Sequence, residues 1–321
     1  MSRRTADVTT LVEQARAGAP RAVARLISLV EDASPVLREV MAALAPHTGH
    51  AHVIGLTGSP GVGKSTSTNA LVAAFRRRGK RIGVLAVDPS SPFSGGALLG
   101  DRVRMQDHAL DPEVYIRSMA SRGHLGGLSW ATPQAIRVLD AAGCEVILVE
   151  TVGVGQSEVE VVGLADTTIV LLAPGMGDGI QAAKAGILEI GDLFVVNKAD
   201  RDGADATVRD IRHMISLGDR SDGQDLWRPP VLKTVASKME GIEEVAESIE
   251  AHLAWMSGRG ELHRRRTRRA ADEIESIALT TLRARMGDLR SGSGIDAFAG
   301  EVVAGRSDPY AAAERIVDDI T

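Results

Sequence analysis

Three kinds of hydrophobic pattern follow one another along the 321 residues. Residues 6 to 46 carry apolar positions at helical spacing, first Val8, Leu11, Val12 and Ala15, then Ala22, Leu26, Ile27 and Val30. Breaks at Gly18-Ala19-Pro20 and Ser34-Pro35 divide this stretch into two or three helices. From Ala51 to Met256, short runs that are apolar throughout alternate with longer amphipathic stretches. The runs 51–57, 81–88, 114–119, 144–150, 167–173, 193–196 and 230–236 predict strands, and 65–78, 132–142, 201–217 and 243–256 predict helices. Strands without polar alternation are buried on both faces, and their alternation with helices predicts an α/β fold with a doubly wound, mostly parallel sheet. Beyond Gly258 the sequence becomes charged and helix-favouring, with Ile274, Ile277, Ala278, Thr281 and Leu282 repeating at helical spacing. The expected organisation is therefore an N-terminal helical extension (1–50), a central domain (51–257) and a C-terminal helical arm (258–321).

Composition narrows this picture. Hydrophobic residues make up 44% of the chain but aromatics only 3%, so the core is built from Val, Ile, Leu and Ala, as suits a parallel sheet. A net charge of −5 supplies no global attraction to nucleic acid or membrane. The basic run His263-Arg264-Arg265-Arg266-Thr267-Arg268-Arg269 lacks interleaved aromatics and reads as a solvated helix face or partner contact. A solitary Cys144 cannot form an internal disulfide, which suits a reducing cytoplasm. No apolar run approaches a membrane span.

The chemistry starts at Gly58-Ser59-Pro60-Gly61-Val62-Gly63-Lys64-Ser65-Thr66, which fits the phosphate-loop pattern G-x-x-x-x-G-K-[ST] between a strand and a helix. Glycines let backbone N–H groups face phosphate oxygens, Lys64 neutralises the β/γ charge, and Ser65 offers its hydroxyl to Mg²⁺. Asp88 closes the second strand, on the sheet edge where ligands of open α/β folds bind. Glu150 ends the strand 144–150 in the position where a carboxylate holds Mg²⁺, and the turn Glu150-Thr151-Val152-Gly153 brings the Gly153 N–H toward the γ-phosphate. The Ser/Gly/Pro-rich segment 89–100 has the length and place of a switch loop.

Asn197-Lys198-Ala199-Asp200 selects the base. Asp200 can accept from guanine N1–H and N2–H₂ together, whereas adenine would leave that carboxylate unpaired. Asn197 braces the loop, the Lys198 stem lies along the base plane, and backbone N–H groups of Ala236-Ser237-Lys238 meet the guanine carbonyl. GTP or GDP with Mg²⁺ is the expected ligand. His47, His50 and His52 crowd the entry to the first strand, but no Cys or carboxylate cluster joins them in sequence, so a metal site there is the weaker reading.

These residues resemble the GTPase family associated with methylmalonyl-CoA mutase, which includes proteins once called arginine/ornithine transport kinases. The resemblance rests on Gly58 to Thr66, Val87-Asp88-Pro89-Ser90-Ser91, Gly100-Asp101-Arg102-Val103-Arg104-Met105, Glu150 to Gln156 and Asn197 to Asp200. It implies a P-loop domain, a homodimer and a chaperone role, in which GTP binding and hydrolysis gate delivery of adenosylcobalamin to the mutase and protect that enzyme. It also implies that Ser65, Asp88, Asp101 and Glu150 surround Mg²⁺, and that Asp178 and Lys184 lie in a loop that answers the partner. With Lys64, the residues Asp101, Asp178 and Lys184 are the candidate catalytic set. Ras-type GTPases place a water-orienting Gln where this chain has Val154, so unassisted hydrolysis should be slow. Two other functions compete. A transport-linked kinase needs a phosphoacceptor site, which no sequence feature marks. Metallochaperone GTPases usually carry Cys-x-x-Cys or a His-rich tract.

Overall fold

A computed structural model describes residues 8–88, 108, 110–120, 131–151, 163–175, 190–218, 226–286 and 293–318. Seven strands, β1 (His52–Thr57), β2 (Ile82–Asp88), β3 (Val114–Ala120), β4 (Val146–Thr151), β5 (Thr167–Leu172), β6 (Leu193–Val196) and β7 (Val231–Lys233), form one sheet in the order β3-β2-β4-β1-β5-β6-β7. Every pairing between them is parallel, which sharpens the expected "mostly parallel" sheet.

Alternate residues of each strand feed opposite cores. On one face, Ile54 and Leu56 of β1 and Val146 and Leu148 of β4 pack with Leu71 and Phe75 of helix α4 (Lys64–Arg77) and with Val245 and Ile249 of α7 (Ile242–Gly258). On the other, Val53, Ile147 and Val149 pack with Val138 and Leu139 of α5 (Thr132–Ala141). That same core takes in Leu11, Leu26, Ile27 and Val40 from α1 (Val8–Arg16), α2 (Pro20–Glu31) and α3 (Leu37–Leu44). The N-terminal helices thus complete one layer of the sandwich. Tyr115 donates its hydroxyl to Gly18 O at 2.9 Å, and Arg117 pairs with Glu31, so the edge strand β3 is tied to α2 and the turn before it. Helix α6 (Ala204–Gly218) covers β6 and β7 through Val208 and Ile211.

Two elements differ from their sequence reading. Helix α6 begins at Ala204, three residues later than expected, because Gly203 adopts φ +89° and residues 200–203 form a turn. Strand β7 stops at Lys233, since Thr234 N makes a last bond to Val196 O and Val235 then pairs back onto Glu240.

At the amino ends of the strands a buried polar chain joins sheet and helix. His52 Nε2 lies 2.7 Å from Thr167 Oγ1, which lies 2.9 Å from His252 Nδ1 on α7. His252 Nε2 faces Asp192 Oδ1 at 3.4 Å, and Asp192 Oδ2 accepts the Thr168 N–H. The hydrogen bonds of His52, Thr167 and Asp192 offset the desolvation that burial costs, whereas His252 Nε2 meets Asp192 without a hydrogen bond.

Residues 263–321 form a second compact unit. It contains most of α8 (Glu261–Met286), together with α9 (Ser293–Val303) and α10 (Pro309–Asp318), in which Arg315 stacks 4.6 Å over the Phe298 ring and bonds Glu301. Ile274, Ile277 and Leu282, at one helical face of α8, are 68%, 52% and 54% exposed.

Candidate nucleotide site

The turn after β1 has the backbone that a phosphate cradle requires. Gly58, Gly61 and Gly63 all take positive φ, at +142°, +81° and +96°. A Cβ on Gly58 would collide with Leu171 O, and one on Gly63 with the Asn197 amide, so glycine is required there for space as well as conformation. Gly63 is the N-cap of α4, and no side chain caps that helix start among the described residues. An uncapped helix N-terminus presents N–H groups and the positive end of the dipole, which is chemistry for an anion.

Lys64 is 8% exposed and its ammonium folds back over the loop, donating to Gly58 O at 2.6 Å and Ser59 O at 3.2 Å. Ser65 donates its hydroxyl to Glu150 Oε1 at 2.6 Å, and Thr68 donates to Glu150 Oε2 at 2.8 Å. Glu150, 5% exposed at the carboxyl end of β4, therefore sits beside the first turn of α4. Thr68 escaped the sequence reading. The signal was its spacing, since i and i+3 share one face of a helix.

The loop after β6 is bound to the phosphate turn. Asn197 Nδ2 donates to Val62 O at 2.8 Å, while its Oδ1 accepts from Ala236 N at 3.0 Å and Thr234 Oγ1 at 3.2 Å. Lys198, held at φ +58°, reaches Gly61 O at 2.5 Å. Asp200 pairs with Lys238 Nζ at 3.1 Å, and that hydrogen bond holds its carboxyl below the usual carboxylate range. Ala236 to Lys238 form a 3₁₀ turn whose Ala236 N–H serves Asn197 and whose Lys238 N–H serves Val235 O.

Pro60 and Thr66 lie in the same turn and helix start. The backbone of Asp88 ends β2 beside β4 and β3. Asp101, Gly153, Asp178 and Lys184 lie outside the described residues. His47, His50 and His52 line a cavity at the opposite, amino end of the sheet, together with Asp140, Cys144 and Glu145, which the sequence alone had not joined to them. Among the described residues no group of three or more His, Cys, Asp or Glu is placed to hold a metal ion.

A parallel sheet whose first strand enters this loop, with a base-selecting loop bonded to it, defines a P-loop GTPase. The family model described as methylmalonyl-CoA mutase-associated GTPase MeaB matches residues 23–289. The chain belongs to that family. A Pyrococcus abyssi protein with GTPase in its name is 45% identical over 313 residues, 98% of this chain and 97% of that one. The GTPase ArgK of Escherichia coli is 37% identical over 273 residues, 83% of this chain and 82% of ArgK. A crystal structure of a LAO/AO transport system kinase superposes with a TM-score of 0.72 at 26% identity, covering 100% of this chain and 99% of the other. The chain is accordingly a GTP hydrolase.

Proposed function

We propose that this GTPase uses its nucleotide state to gate adenosylcobalamin loading of a methylmalonyl-CoA mutase and to protect that enzyme. The observation that carries the reading is the family match over residues 23–289. A Caenorhabditis elegans relative named methylmalonic aciduria type A homolog, mitochondrial, is 39% identical over 215 residues, 66% of this chain and 54% of that protein, and its name points the same way.

At the site, the triphosphate lies along residues 58–66 and the base against Asp200. Lys64 exchanges its two carbonyl partners for phosphate oxygens and stabilises the charge that accumulates there as water attacks the γ-phosphate in line. An adjoining hydroxyl and carboxylate, Ser65 and Glu150, are the hard oxygen donors that Mg²⁺ prefers, so these two fit the ion, with Asp88 and Asp101 as further candidates. When bound, Mg²⁺ neutralises phosphoryl charge. Asp200, ionised and paired with Lys238, accepts from guanine N1–H and N2–H₂, and Ser237 N–H meets the base carbonyl. Val154 cannot orient water, so the partner supplies activation by ordering Asp101, Asp178 or Lys184. The exposed Ile274, Ile277 and Leu282 face of α8 joins two copies into a homodimer.

Two arms test this. GTP turnover of the purified chain is measured with and without an adenosylcobalamin-dependent methylmalonyl-CoA mutase, and cofactor transfer to that mutase is followed with GTP and with GDP. Slow basal turnover accelerated by the mutase, with transfer dependent on nucleotide, is the expected result. Fast unassisted turnover, or transfer indifferent to nucleotide, overturns it.

A further inference from the structure

The nucleotide machinery occupies the carboxyl ends of the strands, yet the sheet's amino end holds an open cavity of about 520 Å³ that it does not use. Its walls come from the last turn of α1, the 3₁₀ turn 45–47, the chain entering β1, the end of α5, Leu253 of α7, and the segments before β2 and β4. That volume lies within the usual range for small-molecule sites.

The carboxylates of this cavity are already committed. Asp140 accepts N–H bonds from Gly49 at 2.5 Å, Ala51 at 3.0 Å and His50 at 3.3 Å. Glu145 accepts from Lys80 Nζ at 2.7 Å and from Arg81 N at 3.2 Å, and Lys80 is the main cause of its lowered pKa. The Cys144 thiol, which burial pushes up to about 12, stays neutral, and His52 is engaged by Thr167. What remains is one guanidinium and two imidazoles. The side chains of Arg16, His47 and His50 all line the cavity, Arg16 and His50 exposed at its rim and His47 half-buried, and none makes a hydrogen bond or ion pair with another described residue.

The formal charge left unpaired at this open cavity is the Arg16 guanidinium, and with two imidazoles beside it that part of the wall is complementary to an acceptor-rich, negatively charged group. We propose that it is a second ligand site, taking a small oxyanion, a phosphate or carboxylate group, on Arg16, His47 and His50. Arg16 supplies the fixed charge and the two-pronged donor geometry that such groups favour. The ligand would then be bound at the opposite end of the sheet from the GTP.

Inorganic phosphate and succinate, titrated calorimetrically into the full chain, distinguish the two oxyanion sources. Phosphate also has reason to enter the nucleotide turn, so the Lys64→Ala variant is titrated beside the wild type. Saturable binding of either anion that survives Lys64→Ala, and falls about tenfold or more in Arg16→Gln as the loss of a charge-assisted hydrogen bond requires, is the expected result. His47→Gln and His50→Gln should each weaken it further, and circular dichroism of all the variants confirms folding. Binding that disappears with Lys64→Ala but is unchanged in Arg16→Gln, or no saturable binding of either anion, overturns the proposal.

Discussion

Asn197 and Val62 are 135 residues apart in sequence, yet the side-chain amide of one donates to the carbonyl of the other at 2.8 Å. Through that bond the loop after β6 is tied to the glycine turn after β1, and the Asn197 oxygen extends the tie to Thr234 and Ala236. Asn197→Ala strands the buried Ala236 N–H and the Val62 carbonyl together. Each such orphan costs about 1–3 kcal/mol. Urea unfolding should therefore show a loss of about 2 kcal/mol or more, accompanied by weaker GDP binding. An unchanged midpoint and an unchanged Kd would mean that the two loops do not need this brace.

Base choice should follow the Asp200 carboxylate. Asp200→Asn replaces one acceptor with a donor that faces guanine N–H groups. Affinity for GDP should fall about a hundredfold or more, as when a polar site loses its matching hydrogen bonds. A xanthine nucleotide, which carries a carbonyl where guanine has its amino group, should recover part of the loss. Lys238→Ala is expected to act more mildly, because Asp200 is exposed and keeps its charge at neutral pH without the lysine. Competition binding with GDP, XDP and ADP reads all three.

Glu150 holds both Ser65 and Thr68, so it positions the helix start, and in the proposed function it also serves Mg²⁺. In Glu150→Gln, GDP binding should persist while GTP turnover falls about a hundredfold, the scale of losing one electrostatic contact in a catalytic site. Single-turnover hydrolysis at saturating Mg²⁺ measures it, and wild-type turnover in Glu150→Gln would remove Glu150 from the site.

Much of this site was legible because its parts are contiguous. Gly58 to Thr66 and Asn197 to Asp200 are short words whose chemistry depends on local backbone, and the apolar runs around them announced a parallel sheet. What stayed hidden was long-range. The i+3 spacing puts Thr68 on the same face as Ser65, but the contact itself, with Glu150 82 residues away, is not local. Nor does the spelling Ala236-Ser237-Lys238 show that Asn197 spends the first amide. The three histidines at the entry to β1 look isolated in sequence, but α5 and the segment after it bring Asp140, Cys144 and Glu145 beside them. Strand β7 was read too long because periodicity cannot see a chain turning back onto Glu240.

Acid should loosen the entry to β3. The Arg81 guanidinium, bonded at 2.7 Å, holds the Glu113 carboxyl below its usual range, and Arg76 does the same to Asp111. A depressed carboxyl pKa contributes stability that is present in full above the unfolded value, about 4.3 for Glu, and is lost as pH falls through the folded value. Both side chains of the Arg81–Glu113 pair are partly exposed, so screening limits its worth to about 0.5–1 kcal/mol. Glu113→Gln should be less stable than the wild type by that amount at pH 7, and the gap should close below about pH 4. A gap that stays constant from pH 7 to pH 3 would assign the loss to packing instead.

The apolar face of α8 is the surface proposed to pair two copies of the chain. Ile274, Ile277 and Leu282 stand at i, i+3 and i+8, which places them on one side of the helix, and each is more than half exposed. Three large aliphatic side chains on one exposed face are what a self-complementary helix pair covers, and fully burying each is worth about 1.5–3 kcal/mol. The wild type should therefore run as a dimer in light scattering at micromolar concentration. A charge on that face, Ile277→Asp, should shift it to monomer without lowering GDP affinity, because every described nucleotide-site residue lies in residues 1–262. A monomeric wild type, or a dimer indifferent to Ile277→Asp, would show that this face serves something other than a second copy.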